Sequence, residues 1–134
     1  MAKDVALIVG GGPGISASCA RLFAGSGMHV GIAARTPDKP VLQNLEKTHG
    51  VRRFACDASE PAAVEQLFRD VVRELGTPRL VVHNIDGRVA GIFRKGITEA
   101  DPGMALETLR NSAFSAFLIG QQAARFMREN EPST

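Results

Sequence analysis

A run of apolar residues stands directly before a cluster of glycines, and this pairing constrains the fold more than any other feature of the sequence. Residues 5–9 are all apolar and mostly β-branched, as in a parallel strand that is covered on both faces. Glycines dominate residues 10–14, and glycine lets a backbone turn sharply and approach a ligand that a Cβ would exclude. Apolar residues then recur at helical spacing over 15–24. The segment therefore predicts a strand, a tight turn and a helix start in direct succession.

The predicted helix start points its free N–H groups into the glycine turn, where they and the helix dipole favour an anion. A second strand predicted at 28–34 completes a β-α-β unit of the length expected for dinucleotide binding. We therefore interpret the turn as a pyrophosphate site, with a purely structural glycine turn as the alternative. The candidate residues are Gly10, Gly12, Pro13, Gly14 and Ile15.

The residue at the tip of the second strand indicates which dinucleotide is bound. An acidic side chain there would bind the ribose 2′-hydroxyl and repel a 2′-phosphate, but Ala34 and Arg35 occupy the position. We therefore predict that NADP(H) binds in preference to NAD(H), with Arg35 and Thr36 at the 2′-phosphate. The alternative is that Arg35 is only a solvated cation in a loop. Residues 12–17 also satisfy the GxGxxA pattern of flavin sites. Flavin-binding proteins of that kind have a Glu at the position of Ala34, so a flavin is the less favoured alternative.

Two further pairs of candidate residues follow predicted strands. Ligands of open α/β sheets bind at the C-terminal ends of the strands. Asp57 and Ala58 are therefore candidates for adenine, although Asp57 could equally cap the next helix. Asn84 and Ile85 follow the fourth strand and are candidates for the nicotinamide ribose.

The remaining pattern alternates helices with short strands. The predicted segments are helix 37–48, strand 52–56, helix 60–75, strand 80–83, loop 88–101, helix 104–128 and a frayed polar tail 129–134. In the last helix one apolar face is predicted from Leu106, Leu109, Ala113, Phe117 and Ala124, extended by Phe114, Leu118 and Met127.

Composition narrows the class of protein. The chain has 134 residues, of which 44% are hydrophobic and 22% charged, which suits one soluble globular domain, 1–134. Its formal charge is only +2 and its cations are scattered, so neither nucleic acid nor a membrane surface is predicted as a partner. No signal segment or membrane-spanning run is visible, and we expect a cytoplasmic location.

Three residues of reactive type have ordinary structural interpretations. Cys19 and Cys56 lie in predicted elements and are expected to be small core residues rather than a disulfide or a metal pair, and no metal site is predicted. His83 could act as a general base, but no acid or nucleophile stands at a recognisable spacing from it. We expect a partly buried structural histidine.

Taken together, these landmarks resemble the short-chain dehydrogenase/reductase family over essentially the whole chain. Residues 10–16 resemble its TGxxxGIG turn, with Val9 in place of the Thr and Ser16 in place of the last Gly. Arg35 resembles the basic residue of its NADP-preferring members, and Asp57 resembles the Asp that contacts adenine. The resemblance implies an α/β Rossmann-type sheet of four parallel strands in the order 3-2-1-4, with helices on both faces and right-handed crossovers, that stops after the fourth helix.

The resemblance is weaker at the nicotinamide end. Residues 83–86 stand where the family has NNAG and keep only the second Asn. Residues 82–85 also look like the VHSI of the divergent enoyl reductases, which suggests carbon–carbon double bonds as substrates. The family's active-site Asn corresponds to Asn111 on the long helix, or in an alternative register to Ser112, and a cap, kink or surface residue is the structural alternative.

The family's catalytic Tyr, Lys and Ser lie beyond the long helix, and this chain contains no Tyr. We therefore predict the NADP(H)-binding part of an oxidoreductase for a small carbonyl or activated alkene, inactive as this chain alone. The resemblance places a fifth strand and another helix in the missing part. The last helix is then expected to need a cover, either a second copy or the missing C-terminal half. A non-catalytic dinucleotide-sensing or interaction module is the alternative function.

Overall fold

The computed structural model describes residues 2–130 and 134. The described part contains four strands, β1 (Val5–Val9), β2 (His29–Ala34), β3 (Arg52–Ala55) and β4 (Leu80–His83). They form one parallel sheet in the order β3-β2-β1-β4. This confirms the predicted Rossmann-type sheet and its strand order, and it leaves β4 at an edge.

The helices lie between and after the strands. They are α1 (Ile15–Gly25), α2 (Pro40–His49), α3 (Pro61–Glu74), α4 (Pro102–Leu109) and α5 (Ser115–Met127); a short 3₁₀ turn, Ile97–Glu99, precedes α4, and a π-helical segment, Arg110–Phe114, joins α4 to α5. Within the described residues, no helix has both the length and the apolar character needed to cross a membrane.

Three helices begin at prolines, which corrects the predicted starts at 37, 60 and 104. Pro40, Pro61 and Pro102 occupy the first helical position, where the missing N–H costs nothing. Each preceding residue is extended, with ψ of 141° at Lys39 and 115° at Glu60, because a proline disfavours the helical conformation of its predecessor.

Helices cover both faces of the sheet, as predicted. Successive residues of β1 point to opposite faces, so Ala6 and Ile8 pack beneath α1 and α2 while Leu7 and Val9 pack beneath α3 and α5. Cys56 is buried in the α3–α5 core, and Cys19, on α1, packs partly buried against the core beneath α1 and α2; both are free thiols. This confirms their assignment as core residues.

The apolar face predicted for the last helix is largely uncovered. Leu106, Leu109 and Phe117 are 70%, 59% and 58% exposed. The buried residues of this region are Asn111, Ser115, Leu118, Ile119, Gln122 and Met127, of which Leu118 and Met127 belonged to the predicted face. Three of the buried residues are polar, and the wider π turn at Arg110–Phe114 shifts the helical phase along the helix.

Part of the tail is ordered rather than frayed. The side-chain amide of Asn130 donates to the Pro78 carbonyl at 2.9 Å. The backbone of Thr134 pairs with the edge of β4, donating to the Arg79 carbonyl and accepting from the Val81 N–H, both at 2.8 Å. The prediction therefore fails at these two residues, and residues 131–133 lie outside the described part of the chain.

Candidate functional site

A cavity of about 370 Å³ opens at the C-terminal edge of the sheet. This is where open α/β sheets bind their ligands. The ends of all four strands and the π segment contribute to its walls. The lining residues are Val9, Gly10, Gly11, Gly12, Ala33, Ala34, Arg35, Lys39, Cys56, Ala58, Ser59, Asn84, Ile85, Asp86, Gly87, Arg88 and Asn111.

The structure brings together only some of the residues predicted from the sequence. Those that line the cavity are Gly10, Gly12, Arg35, Ala58, Asn84, Ile85 and Asn111. Those outside its lining are Pro13, Gly14, Ile15, Thr36, Asp57 and Ser112. Their roles toward a ligand stay predictions.

The glycine turn divides into a structural part and an open part. Gly10 has φ of +119°, and a Cβ there would lie 1.9 Å from the backbone oxygen of Asn84, so only glycine fits between β1 and the end of β4. A Cβ on Gly12 or Gly14 would meet no described atom within 4 Å. Gly14 precedes α1 without a side-chain cap. The first N–H groups of α1 are therefore available to an anion.

Arg35 is held by two acceptors at the tip of β2. Its Nη2 donates to Oδ1 of Asn111 at 2.7 Å and lies 3.4 Å from Oδ1 of Asp57. The side chain is 55% exposed, but it is not simply a solvated cation as the structural alternative supposed. A guanidinium at this rim can pair bidentately with a phosphate.

Asp57 serves the turn that leads into α3. Its Oδ1 accepts from the backbone N–H of Ser59 at 3.0 Å and from the Ser59 hydroxyl at 2.7 Å. Burial raises the pKa of Asp57, but the Ser59 hydrogen bonds and the charges of Arg35 and Arg110 outweigh it, so the pKa lies below its usual value. The carboxylate is therefore ionised and turn-forming, and its predicted adenine contact stays a prediction.

Asn84 ties β4 to the first helix. Its side-chain amide donates to the hydroxyl of Ser16 at 3.0 Å, and its backbone N–H donates to Val9 at 2.8 Å. Ser16 stands where the resembling turn has its last Gly, and it is fully buried. Its hydroxyl supplies the acceptor for the Asn84 amide. Asn84 is thereby fixed at the mouth of the cavity.

The π segment carries Asn111 into the cavity and leaves Ser112 outside it. Asn111 is 8% exposed, and its Nδ2 donates weakly to the Gly87 carbonyl at 3.4 Å. Ser112 turns its hydroxyl back to the Thr108 carbonyl at 2.6 Å. A Cβ on Gly87 would lie 2.6 Å from the Ser112 nitrogen, so the loop after β4 packs directly on this segment. Asn111 therefore lines the cavity and Ser112 does not, and the choice between the two registers stays a prediction.

A match to a family model identifies the family, and solved structures share the fold. A family model described as enoyl-(acyl carrier protein) reductase matches residues 10–134. The chain belongs to the short-chain dehydrogenase/reductase family. A short-chain type dehydrogenase/reductase from Mycobacterium marinum superposes with a TM-score of 0.83 at 24% identity, over 94% of this chain and 51% of that one. A variant of actinorhodin polyketide ketoreductase with NADPH superposes with a TM-score of 0.82 at 23% identity, over 96% and 51%.

Two curated relatives from Caenorhabditis elegans match this chain over 88 residues. An uncharacterised oxidoreductase is 39% identical and a probable 2,4-dienoyl-CoA reductase is 35% identical. The matched region is 62% of this chain and 28% of each relative. The chain thus spans about half the length of the similar structures, and its alignment covers under a third of either curated relative.

Several cavity residues of this short-chain dehydrogenase/reductase were not predicted. Lys39 precedes α2 at the cavity rim, Ser59 holds Asp57, and Asp86 pairs with Arg88 in the loop after β4. Hydrogen bonds from Arg88 lower the pKa of Asp86 to about 2. Lys39 could have been found from the sequence as a second cation that follows Arg35 by four residues. The loop after β4 carries no such local signal.

His83 is partly buried, as predicted, and its purely structural role stays a prediction. Its Nε2 lies 2.8 Å from the hydroxyl of Ser115, which is fully buried. Burial lowers the pKa of His83, which outweighs a raising hydrogen bond with its own backbone. The ring borders a separate groove of about 280 Å³ between β4 and α5. Across the described residues, no three His, Cys, Asp or Glu side chains gather as metal ligands.

Proposed function

We propose that this chain is the NADP(H)-binding part of a short-chain dehydrogenase/reductase-type oxidoreductase, as one cytoplasmic cofactor-binding domain, 1–134. The observation that carries the proposal is Arg35 at the cavity rim beside Lys39, with Ala34 where an NAD site would place a carboxylate. Two cations in the cavity lining, Arg35 after β2 and Lys39 before α2, suit a 2′-phosphate. Ala34 itself has no acceptor side chain for a free 2′-hydroxyl.

The rest of the cavity fits the remaining parts of the cofactor. The open turn at Gly12 and Gly14, with the uncapped start of α1, suits the pyrophosphate. Asp57 and Ala58 at the end of β3 are proposed for adenine, and Thr36 for the 2′-phosphate beside Arg35. Asn84, fixed by its bond to Ser16, is proposed with Ile85 for the nicotinamide ribose.

The bound nicotinamide supplies or accepts a hydride. We propose a small carbonyl or an activated alkene as the substrate of the whole enzyme. The alkene gains support from the enoyl reductase description of the family model and from the dienoyl-CoA reductase relative. Asn111 is the candidate to contact substrate. Because the chain has no Tyr to move the proton, we propose that it is inactive alone.

The test is a titration of the purified chain with NADPH and, separately, with NADH, followed by cofactor fluorescence. The chain has neither Trp nor Tyr, so its own background is low. We expect NADPH to bind at least about tenfold tighter than NADH, a difference of about 1.4 kcal/mol, and Arg35→Asp to abolish that preference. Arg21→Asp, at an exposed position on α1, is the matched control. Equal affinities, or no binding of either cofactor, would contradict the proposal.

A second candidate function is a non-catalytic dinucleotide-sensing or interaction module. The observation that favours it is an exposed apolar stripe on α4, the π segment and α5, where Phe114 and Phe117 stack at 6.3 Å. Leu106 and Leu109 continue the stripe. Such a face calls for a partner, either a second copy or a C-terminal half. We expect light scattering to report a dimer that Phe117→Asp converts to a monomer; a wild-type monomer would exclude the second copy.

A further inference from the structure

Arg35 and Asn111 meet although 76 residues separate them in the chain. Arg35 follows β2, Asn111 lies in the π segment, and both line the cavity. The 2.7 Å hydrogen bond between them joins two walls of the cavity. The guanidinium proposed to bind the 2′-phosphate is therefore already engaged in the free protein.

One nitrogen of Arg35 serves both of its acceptors. Nη2 donates to Asn111, and the same atom lies 3.4 Å from the carboxylate of Asp57. Asp57 is also bonded to Ser59, which keeps it in the turn. A phosphate bound bidentately uses Nη2 together with Nε or Nη1, so it needs an N–H of the nitrogen that now serves Asn111 and Asp57. Charge-assisted bonds to phosphate are stronger than a bond to a neutral amide. Phosphate binding at Arg35 would therefore displace Asn111.

The amide of Asn111 has little else to hold it. Its only other hydrogen bond among the described residues is the long 3.4 Å contact with Gly87. The residue is nevertheless 8% exposed, so a displaced side chain stays inside the cavity. Release by Arg35 would leave Oδ1 of Asn111 without its present donor.

We propose that Asn111 is a specificity-determining residue that competes with the 2′-phosphate of the cofactor for Arg35. This inference rests on the proposed function. Cofactor binding transfers the guanidinium from the amide oxygen to the phosphate, and Asn111 thereby limits the preference for a phosphorylated cofactor.

The experiment uses two probes that represent the adenosine ends of NADP and NAD, namely 2′,5′-ADP and 5′-AMP. Their affinities are measured by calorimetry for the wild-type chain, Asn111→Ala, Arg35→Met and the double variant. Asn111→Ala should tighten 2′,5′-ADP about threefold to tenfold, because the competing bond to a charged group is gone. Binding of 5′-AMP, which does not use Arg35, should change by less than about twofold. In the Arg35→Met background, Asn111→Ala should have no effect on either probe.

Two further variants keep the test sharp. Asn44→Ala makes the same change at an exposed position on α2 and should alter neither affinity. Asn111→Asp should weaken 2′,5′-ADP, because a carboxylate holds Arg35 more firmly than an amide, and it tests the inference if Asn111→Ala does not fold. Unchanged or weaker 2′,5′-ADP binding by Asn111→Ala would overturn the inference while leaving the proposed function intact. A wild-type chain that binds neither 2′,5′-ADP nor NADPH would overturn both.

Discussion

Gly10→Ala and Gly12→Ala place the same methyl group two residues apart, and the structure predicts opposite consequences. Gly10 has φ of +119°, which L-residues rarely adopt, and its new Cβ would lie 1.9 Å from the Asn84 oxygen and 2.6 Å from the Asn84 carbonyl carbon. Both obstacles are backbone atoms, so no rotamer change relieves them. Gly12 meets no described atom within 4 Å and is not among the glycines with positive φ.

The cost at Gly10 follows from these distances. A side chain forced into a sparsely populated backbone region costs about 1–3 kcal/mol, and overpacking against fixed atoms adds about 1–3 kcal/mol. We therefore expect Gly10→Ala to lower the free energy of unfolding by about 3–5 kcal/mol. For a domain of this size that lowers Tm by roughly 10–20 °C. Since a small domain is stable by only about 5–15 kcal/mol, the variant should be marginal.

The assay compares thermal unfolding and NADPH titration for the two variants. Gly10→Ala should lose stability, whereas Gly12→Ala should melt within about 3 °C of the wild type. Gly12→Ala should nevertheless bind NADPH at least about tenfold more weakly, because its methyl group occupies the open turn proposed for the pyrophosphate. A Gly10→Ala variant as stable as the wild type would refute the argument from the Asn84 contact. Normal NADPH binding by Gly12→Ala would refute the ligand-facing role of the turn.

Three other predictions concern packing and pH. Phe68→Ala should lower the free energy of unfolding, measured in urea, by about 3–5 kcal/mol, because Phe68 is fully buried and its ring stacks on Phe126 at 5.7 Å. Phe93→Ala, at a 74% exposed position, is the control, and equal effects of the two substitutions would contradict the prediction. Arg88→Met should raise the pKa of Asp86 from about 2 toward its ordinary 3.8, read by carboxyl NMR titration, and an unmoved titration would show that Arg88 is not the cause. Because that folded pKa is depressed, the stabilisation it gives is present above the unfolded pKa of about 3.9 and is lost as the pH falls through the folded value. Burial lowers the pKa of His83 in the folded protein below its unfolded value of 6.5, so the unfolded chain takes up the proton first and stability should fall as the pH drops below about 6.5. The urea midpoint of His83→Gln should therefore depend less on pH over that range than the midpoint of the wild type or of His49→Gln, at an exposed position. The same pH dependence in His83→Gln and the wild type would refute the link to His83.

The sequence predicts the sheet well because its signals are local. Residues 5–16 place strand, turn and helix start next to one another, so their order could be recognised without any distant contact. The predicted first residues of the helices were less accurate, since three helices begin at a proline that the apolar periodicity does not mark. The cavity residues that followed strand ends, such as Ala58 and Asn84, were predictable because parallel strands bring their C-terminal ends together.

The site residues that were missed depend on distant packing. Lys39 and Arg88 reach the cavity only because the start of α2 and the loop after β4 meet at its rim. The buried side of the last helix could not be predicted from the sequence, because Asn111, Ser115 and Gln122 are polar residues on the covered face. Periodicity assigns such residues to solvent, and a π turn shifts the phase on which the assignment depends.

By itself the sequence determines the β-α-β unit, the glycine turn and the cation at the tip of β2, because neighbours in the chain encode each of them. Tertiary structure alone decides that Gly10 must be glycine against Asn84, and that Arg35 is engaged by a residue 76 positions away. The physical reason is that both contacts arise from the sheet register and the crossover of the last helix, which no local pattern specifies. The sequence therefore supplies the candidate groups, and the packing decides which of them meet.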